Sequence, residues 1–172
     1  GVFTSIGEAH GEGFLNVRQK INEKLKLFVN SDLIIYCADE PDINEAVNAF
    51  NTNVKAGDDF KLLSWSKKNK ASLQVIAIGS SGKGTKISAL WREQAFDFEI
   101  PFSDSASVEN AITCCCVLLY LEIDIKKIKD RMKQLRHVEM RLELKQGINN
   151  CSIINDSYSA DINSLTIALD FL

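Results

Sequence analysis

The sequence predicts an α/β fold in which parallel strands and helices are followed by a small antiparallel meander. Two strand-then-helix units open the chain, and this order is typical of a parallel sheet. Strict alternation of apolar and polar residues begins near residue 73, as expected for antiparallel strands with one solvent-facing side. The chain of 172 residues is 45% hydrophobic and 25% charged, which is the composition of a globular protein.

The first unit begins with residues 2–6, which are of the types common in strands, and continues through a glycine-rich loop at residues 7–13. Asn16 is expected to begin a helix, because asparagine is a common N-cap residue and Gln19 stands at the capping-box position. The helix carries apolar residues at helical spacing, which are Val17, Ile21, Leu25 and Phe28.

The second unit pairs the apolar run Leu33–Cys37 with a helix that Pro41 opens. The meander then follows as three alternating runs, at residues 73–77, 87–91 and 96–102. Together these segments predict one sheet that begins parallel and ends antiparallel.

Two more helices are expected after the meander. Ser107 is expected to cap the first, which would reach about Glu122 and is so apolar on every side that we expect it to be buried. Asp124 is expected to open the second, with its inward side formed by Ile125, Ile128, Met132 and Leu135.

The last residues predict the start of another domain. Residues 140–145 and 151–155 have the pattern of strands, and residues 162–172 have that of a helix. We therefore place a domain boundary between residues 138 and 139, and we expect the chain to be a fragment of a longer protein.

Charge and composition exclude several classes of function. The net charge is −3, so the sequence has no excess of basic residues with which to attract nucleic acid. The longest apolar stretch, residues 111–121, is too short to span a membrane. Five cysteines without a C-x-x-C pair, and no secretory leader, predict a reduced, cytoplasmic setting.

The segment GSSGKGT at residues 79–85 invites comparison with a phosphate-binding loop. The spacing G-x-x-x-x-G-K-[ST] is not met, and the segment leads into a strand rather than into a helix whose N-terminus could face an anion. We therefore interpret it as an ordinary hairpin turn.

His10 and Lys24 are the first candidate site residues. His10 lies between Glu8 and Glu12 in the loop after the first strand, a set suited to a divalent cation, although a surface-loop histidine is the alternative. Lys24 projects about 20° from the direction of Val17 and is expected on the buried face. A buried lysine needs a partner or a modification. The alternative is a packed stem with its ammonium in water.

Asp156 and Arg141 are candidates for nucleotide contacts. Asp156 follows an apolar strand, where a carboxylate can accept hydrogen bonds from ribose hydroxyls or can cap the next helix. Arg141 can pair with a phosphate, or with Glu139 or Glu143.

Two stretches, FTSIGEAHGEGF at residues 3–14 and NDSYSADINSL at residues 155–165, closely resemble signature sequences of the Mur ligases. The resemblance covers essentially the whole chain. It implies that residues 1–138 are part of the family's central ATP-binding domain, and that residues 139–172 begin its Rossmann-like C-terminal domain. The family's phosphate loop and its glutamate ligand to Mg²⁺ would then lie upstream of residue 1.

The resemblance also implies roles for single residues. His10 would help to hold Mg²⁺, and Lys24 matches a lysine that is carbamylated in the family. Asn110 would contact adenine, while Arg141 and Asp156 would approach the phosphate and ribose of ATP. The sequence departs from the family pattern at three places: Ala106-Ser107 replaces His-Asn, Asn155 replaces an aspartate, and Asp161-Ile162 replaces Asn-Pro.

Within the family, the resemblance is strongest to the enzymes that join D-alanyl-D-alanine to UDP-N-acetylmuramoyl-tripeptide. It implies an ADP-forming ligase of peptidoglycan synthesis that uses ATP and Mg²⁺ and has neither a nucleic-acid nor a membrane partner. Some bacterial members are fused to an alanine racemase, so a racemase domain downstream is compatible with the resemblance. The alternatives are a family member that adds another amino acid, and a non-catalytic structural or interaction module.

Overall fold

The computed structural model describes residues 1–7, 13–54, 59–82, 84–136, 143–155, 165–166 and 168–169. The chain divides into two compact units, Gly1–Gln134 and Leu135–Leu172. The assignment of residues 1–138 and 139–172 to two ligase domains stays a prediction.

The first unit is built on one six-stranded sheet whose strands follow each other in sequence order. The pairs between β1 and β4 are parallel, and the pairs from β4 to β6 are antiparallel. The expected α/β fold is thereby confirmed, and the meander continues the parallel sheet. The strands are β1 (Val2–Phe3), β2 (Leu33–Cys37), β3 (Lys61–Ser66), β4 (Leu73–Ser81), β5 (Gly84–Trp91) and β6 (Gln94–Ile100).

The parallel strand β3 was not expected from the sequence. Its residues, KLLSWS, include two serines and contain no uninterrupted apolar run of the kind that marks β2. Leu63, Trp65 and Ser66 are nevertheless buried, because β3 lies between β2 and β4 and is covered by a helix. The neighbours of this strand, rather than its own composition, determine its burial.

Two helices follow β1 and β2. Helix α1 (Val17–Leu25) begins as expected, with the Gln19 amide donating to Oδ1 of Asn16 at 2.8 Å. Oε1 of Gln19 accepts from the backbone of Leu15 at 2.7 Å, so the two side chains satisfy two free amides of the helix start. A 3₁₀ turn (Lys26–Phe28) extends α1, and helix α2 (Pro41–Asn53) begins at its proline as expected.

Helix α3 (Ser105–Tyr120) differs from expectation in two respects. Its cap is Asp104, whose Oδ1 accepts from the amide of Ser107 at 2.8 Å, and Ser107 therefore lies inside the first turn. It is also not buried on every side, because it covers one face of the sheet and leaves Cys114 and Tyr120 exposed. Apolar composition alone did not distinguish a fully buried helix from one that lies against a sheet.

Helix α4 (Ile125–Met132) begins at Asp124 as expected, with Ile128 and Met132 buried and Ile125 partly buried. Leu135, which was expected on the inward side of this helix, is exposed, because the helix already ends at Met132. None of the helices in the part of the chain described above is long and apolar enough to cross a membrane.

The core of this unit consists of two clusters, one on each face of the sheet. Alternate residues of β2 belong to different clusters: Ile35 and Cys37 pack towards α3, while Ile34 and Tyr36 pack towards α1 and α2. All five residues of β2 are buried, as expected of a parallel strand with both faces covered.

The long hairpin of β4 and β5 confirms that residues 79–85 belong to a hairpin, although β4 extends to Ser81 and β5 begins at Gly84, so the turn is shorter than expected. Ser81 pairs with Gly84, and Gly82 has a φ of +61°, which glycine adopts readily. A bulge between Val75 and Ala77 shifts the register, so that Ala77 does not join Leu73 and Val75 in the core as expected.

The second unit contains a short antiparallel hairpin of β7 (Glu143–Gln146) and β8 (Ser152–Asn155). Two strands were expected here. The expected helix of residues 162–172 lies mostly outside the described residues.

Candidate functional site

The carboxyl ends of the parallel strands form the edge of the sheet where a site is expected. Ligands of α/β proteins bind outside these ends, because the loops that follow the strands and the N-termini of helices converge there. We call this the carboxyl edge, and define it by the segments that follow β1, β2 and β3, which are residues 4–7, 38–40 and 67–70.

Two lysines of α1 reach the segment after β1. Nζ of Lys24 donates to the carbonyl oxygen of Ser5 at 3.5 Å, and Nζ of Lys20 donates to that of Gly7 at 2.6 Å. Both ammonium groups therefore lie at the carboxyl edge, beside the chain that leads to His10.

The expectation that Lys24 is buried was wrong, because its side chain is exposed and the buried lysine is Lys20, at 7% exposure. The expectation took its direction from Val17, which is itself 51% exposed. The buried stripe of α1 is instead formed by Ile21 and Leu25, so Lys24 lies at its margin. An exposed amine at this position is accessible to dissolved carbon dioxide.

Asn110 lies in the second turn of α3 and is exposed. His10, with the neighbouring Glu8 and Glu12, lies outside the described residues, as do Arg141 and Asp156. The roles expected for these five side chains stay predictions.

Asp39 is the centre of a polar cluster that sequence reasoning missed. Its carboxylate accepts from Oγ of Ser66 at 2.5 Å and from the backbone amide of Lys67 at 2.7 Å. Oγ of Ser66, which is fully buried, accepts in turn from the amide of Asn69 at 2.7 Å. The segment after β3 is thereby held against the end of β2.

A second set of contacts continues from this segment to α3. Nζ of Lys67 lies 2.6 Å from Oε1 of Glu109. Nε1 of Trp65 donates to Oγ1 of Thr113 at 3.1 Å, and that hydroxyl donates to the carbonyl oxygen of Glu109 at 2.9 Å. Asp39, Trp65, Ser66, Lys67, Glu109 and Thr113 together are called the strand-end network.

The electrostatics of Lys67 follow from this arrangement. Partial burial alone would lower its pKa, but the hydrogen bond and the charge of Glu109, with smaller contributions from Cys37 and Asp39, outweigh that effect and raise it. Lys67 therefore remains a cation at neutral pH and holds Glu109 as an ion pair.

The buried thiols do not resemble catalytic nucleophiles. Burial raises the pKa of Cys37 and that of Cys115, the latter to about 12, and it raises the pKa of Cys116 well above its ordinary value. An activated cysteine needs a lowered pKa. These thiols are therefore part of the core.

A cavity of about 750 Å³ lies beside the first residues of β2 and β3, which are Leu33 and Lys61, and extends to Lys70 of the carboxyl edge. Among the described residues, neither Lys24 nor Asn110 lines it, and the strand that ends in its wall, β5 at Trp91, is antiparallel to β4. The lining includes Leu33, Lys61, Lys70, Trp91, Arg92 and Tyr120.

The described residues fit ATP and Mg²⁺ in part. As an ammonium, Lys24 has no lone pair for a metal, but a carbamate on the same nitrogen would supply the oxygen ligands that Mg²⁺ prefers. The exposed amide of Asn110 can both donate to and accept from a purine edge. Over the ranges that the structure covers, no three His, Cys, Asp or Glu side chains form a metal cluster.

The fold and the carboxyl edge define an α/β domain whose parallel strands end in polar, hydrogen-bonded side chains. Residues 1–118 match the Mur ligase middle domain, and the chain belongs to this family. The UDP-N-acetylmuramate--L-alanine ligase of Desulforapulum autotrophicum is 23% identical over 158 residues, which are 89% of this chain and 33% of that enzyme. The chain thus spans about a third of the length of that relative.

Two solved structures have the same fold. MurF from Acinetobacter baumannii superposes with a TM-score of 0.77 at 18% identity, over 99% of this chain and 36% of that one. The MurF ligase from Thermotoga maritima, solved in complex with ADP, gives a TM-score of 0.74 at 16% identity, over 98% of this chain and 38% of that one.

Proposed function

We propose that the full-length protein is a UDP-N-acetylmuramoyl-tripeptide:D-alanyl-D-alanine ligase, acting in the cytoplasm on a precursor of peptidoglycan. One observation carries the assignment to an ATP-dependent ligase: the amine of Lys24 lies exposed near the carboxyl end of β1, at the position that the resemblance matches to the family's carbamylated lysine. The resemblance of the sequence to the enzymes that add D-alanyl-D-alanine favours this amine substrate. Membership of the Mur ligase middle domain family and the signature at residues 3–14 support the class of reaction.

The reaction joins a carboxylate to an amine through an acyl phosphate. ATP with Mg²⁺ supplies the phosphoryl group that activates the terminal carboxylate of the tripeptide, and the amine of D-alanyl-D-alanine then displaces phosphate. The residues of this chain would act by positioning and by charge rather than by covalent chemistry. His10 and the carbamate of Lys24 would hold the metal, Asn110 would hold the adenine ring, and Arg141 and Asp156 would bind the phosphate and ribose.

A second candidate is a ligase of the same family that adds a different amino acid. The similarity to an enzyme named as an L-alanine ligase favours it, because that similarity extends over 89% of the chain. The two candidates share every residue role proposed above and differ in the amine and in the muramoyl substrate.

The test is ADP release by the purified full-length protein with matched substrate pairs. We expect turnover with UDP-N-acetylmuramoyl-tripeptide plus D-alanyl-D-alanine, and none with UDP-N-acetylmuramate plus L-alanine. The reverse preference would establish the second candidate. Absence of ADP release with both pairs would contradict a ligase for D-alanyl-D-alanine or L-alanine, and the same result with UDP-N-acetylmuramoyl-L-alanine plus D-glutamate would favour a non-catalytic module.

A further inference from the structure

We propose that the strand-end network positions the nucleotide, by fixing the turn of α3 that carries Asn110 against the ends of β2 and β3. The inference rests on the proposed function, in which Asn110 contacts adenine. It adds Asp39, Ser66, Lys67 and Glu109 as positioning residues that do not themselves touch the nucleotide.

The first step is the rigidity of the segment after β3. Its backbone amides at Lys67, Lys68 and Asn69 all donate to side-chain oxygens, which belong to Asp39 and Ser66. Ser66 is fully buried, so its hydroxyl cannot exchange these partners for water without a cost. The segment is therefore a fixed platform and not a freely moving loop.

The second step is the link from this platform to α3. Glu109 is held twice: Lys67 contacts its carboxylate at 2.6 Å, and Thr113, itself bound by Trp65, donates to its carbonyl oxygen at 2.9 Å. Two attachments on different sides of one residue restrain both the position and the rotation of that helical turn. Asn110 is the next residue, so its direction is restrained as well.

The alternative is that the ion pair of Lys67 and Glu109 only stabilises the fold. The solvent exposure of this ion pair distinguishes a stabilising role from a positioning role. The side chains of Lys67 and Glu109 are 35% and 44% exposed, so their pairing contributes little to the stability of the fold. If a substitution in this ion pair changes only the affinity for ATP, the change therefore reflects the position of Asn110. Small displacements of a contacting group weaken binding strongly.

The experiment measures ATP affinity of the full-length enzyme by calorimetry, alongside steady-state kinetics. We expect Lys67→Met to raise Kd and KM for ATP by about threefold to fivefold, which is the upper end of the contribution of a partly exposed ion pair. The kcat and the KM for both other substrates should change by less than about twofold. Lys86→Met is the matched control, since Lys86 forms a partly exposed pair with Asp97 at 3.5 Å on β5 and β6.

Two further variants show whether the effect acts through Asn110. In an Asn110→Ala background, Lys67→Met should change the Kd for ATP no further, because the positioned side chain is already gone. The exchange Lys67→Glu with Glu109→Lys should restore the Kd to within about twofold of the parent, whereas each single change should not. Glu109→Gln serves as a substitute should Lys67→Met fold poorly.

The outcomes separate the two proposals. If Asn110→Ala leaves the Kd for ATP unchanged, the adenine role of Asn110 is wrong and the proposed nucleotide site fails with it. If Asn110→Ala weakens ATP but Lys67→Met does not, or if their effects add, only the positioning role is overturned.

Discussion

Lys24 is the residue on which the proposed activity depends most directly. We expect Lys24→Ala in the full-length enzyme to reduce ligation to nearly zero, because the carbamate oxygens that would hold Mg²⁺ are lost. The fold should survive, since the side chain is exposed. ADP release and a thermal melt of the same sample provide the two measurements.

The replacements at Lys24 distinguish a carbamate from a simple charge. Lys24→Arg keeps a cation and Lys24→Glu is shorter than a carbamylated lysine, so neither should restore full activity. Small carboxylic acids added to Lys24→Ala should restore part of it by supplying oxygens. A fully active Lys24→Ala enzyme would remove the residue from the metal site.

The buried thiols predict a dependence of stability on pH. Burial raises the pKa of Cys115 from 9.0 to about 12, and that of Cys116 in the same direction. Between these values the unfolded chain has lost thiol protons that the folded chain keeps, so the free energy of unfolding falls as pH rises above about 9. The slope for one such thiol is up to about 1.4 kcal/mol per pH unit.

Denaturant unfolding of the reduced chain between pH 8 and pH 10.5 measures this slope. Cys115→Ala should make the slope shallower, whereas Cys151→Ala, at an exposed position, controls for the mere loss of a thiol. Equal slopes in the parent and in Cys115→Ala would contradict the assignment.

Single residues were predicted with uneven success, and the reason is physical. The signature around His10 located Lys24, but the burial of Lys24 was wrong because the direction of the core was taken from an exposed valine. Asp39 and Ser66 were missed because they are 27 residues apart in sequence and meet only when β2 and β3 pair. Asn110, which the family resemblance located, is exposed, and its contact with adenine stays a prediction.

Three helices begin at the residues where the sequence predicted them to begin. Asn16, Pro41 and Asp124 were each expected at the start of a helix, and each stands there, since a cap or a proline acts within one turn. β3 was not expected, because a strand of mixed composition is stabilised by its neighbours.

The hairpin of β4 and β5 provides a test at the scale of elements. A Cβ at Gly84 would lie 2.1 Å from the carbonyl oxygen of Ile100, which belongs to the paired strand β6. Since that backbone cannot move without disturbing the sheet, Gly84→Ala should destabilise the chain by about 2 kcal/mol or more.

Gly79→Ala is the matched control in the same hairpin, because a Cβ at Gly79 would have no heavy atom within 4 Å. Its effect on the free energy of unfolding should stay within about 0.5 kcal/mol. Chemical denaturation measures the free energy of unfolding of both variants. Equal values for the two would contradict the prediction and would show that the backbone at Gly84 can move to accept a Cβ atom.

At the scale of the whole molecule, we expect the 172-residue chain on its own to bind ATP weakly. It contains no G-x-x-x-x-G-K-[ST] segment, and the described residues of its glycine-rich segment, 79–82 and 84–85, lie in a hairpin rather than at a helix N-terminus. Calorimetry with ATP and Mg²⁺ tests this. Micromolar binding would contradict the expectation and would make residues 79–85 the first segment to mutate.

The sequence by itself determined the α/β class, the starts of α1, α2 and α4 and the hairpin at residues 79–85, because caps, prolines and alternating patterns act over a few neighbouring residues. Only the tertiary structure decided which lysine of α1 is buried, where β4 bulges and how the strand ends are joined. Lys67 and Glu109 are 42 residues apart, so their contact depends on the packing of α3 against the sheet, which no local pattern encodes.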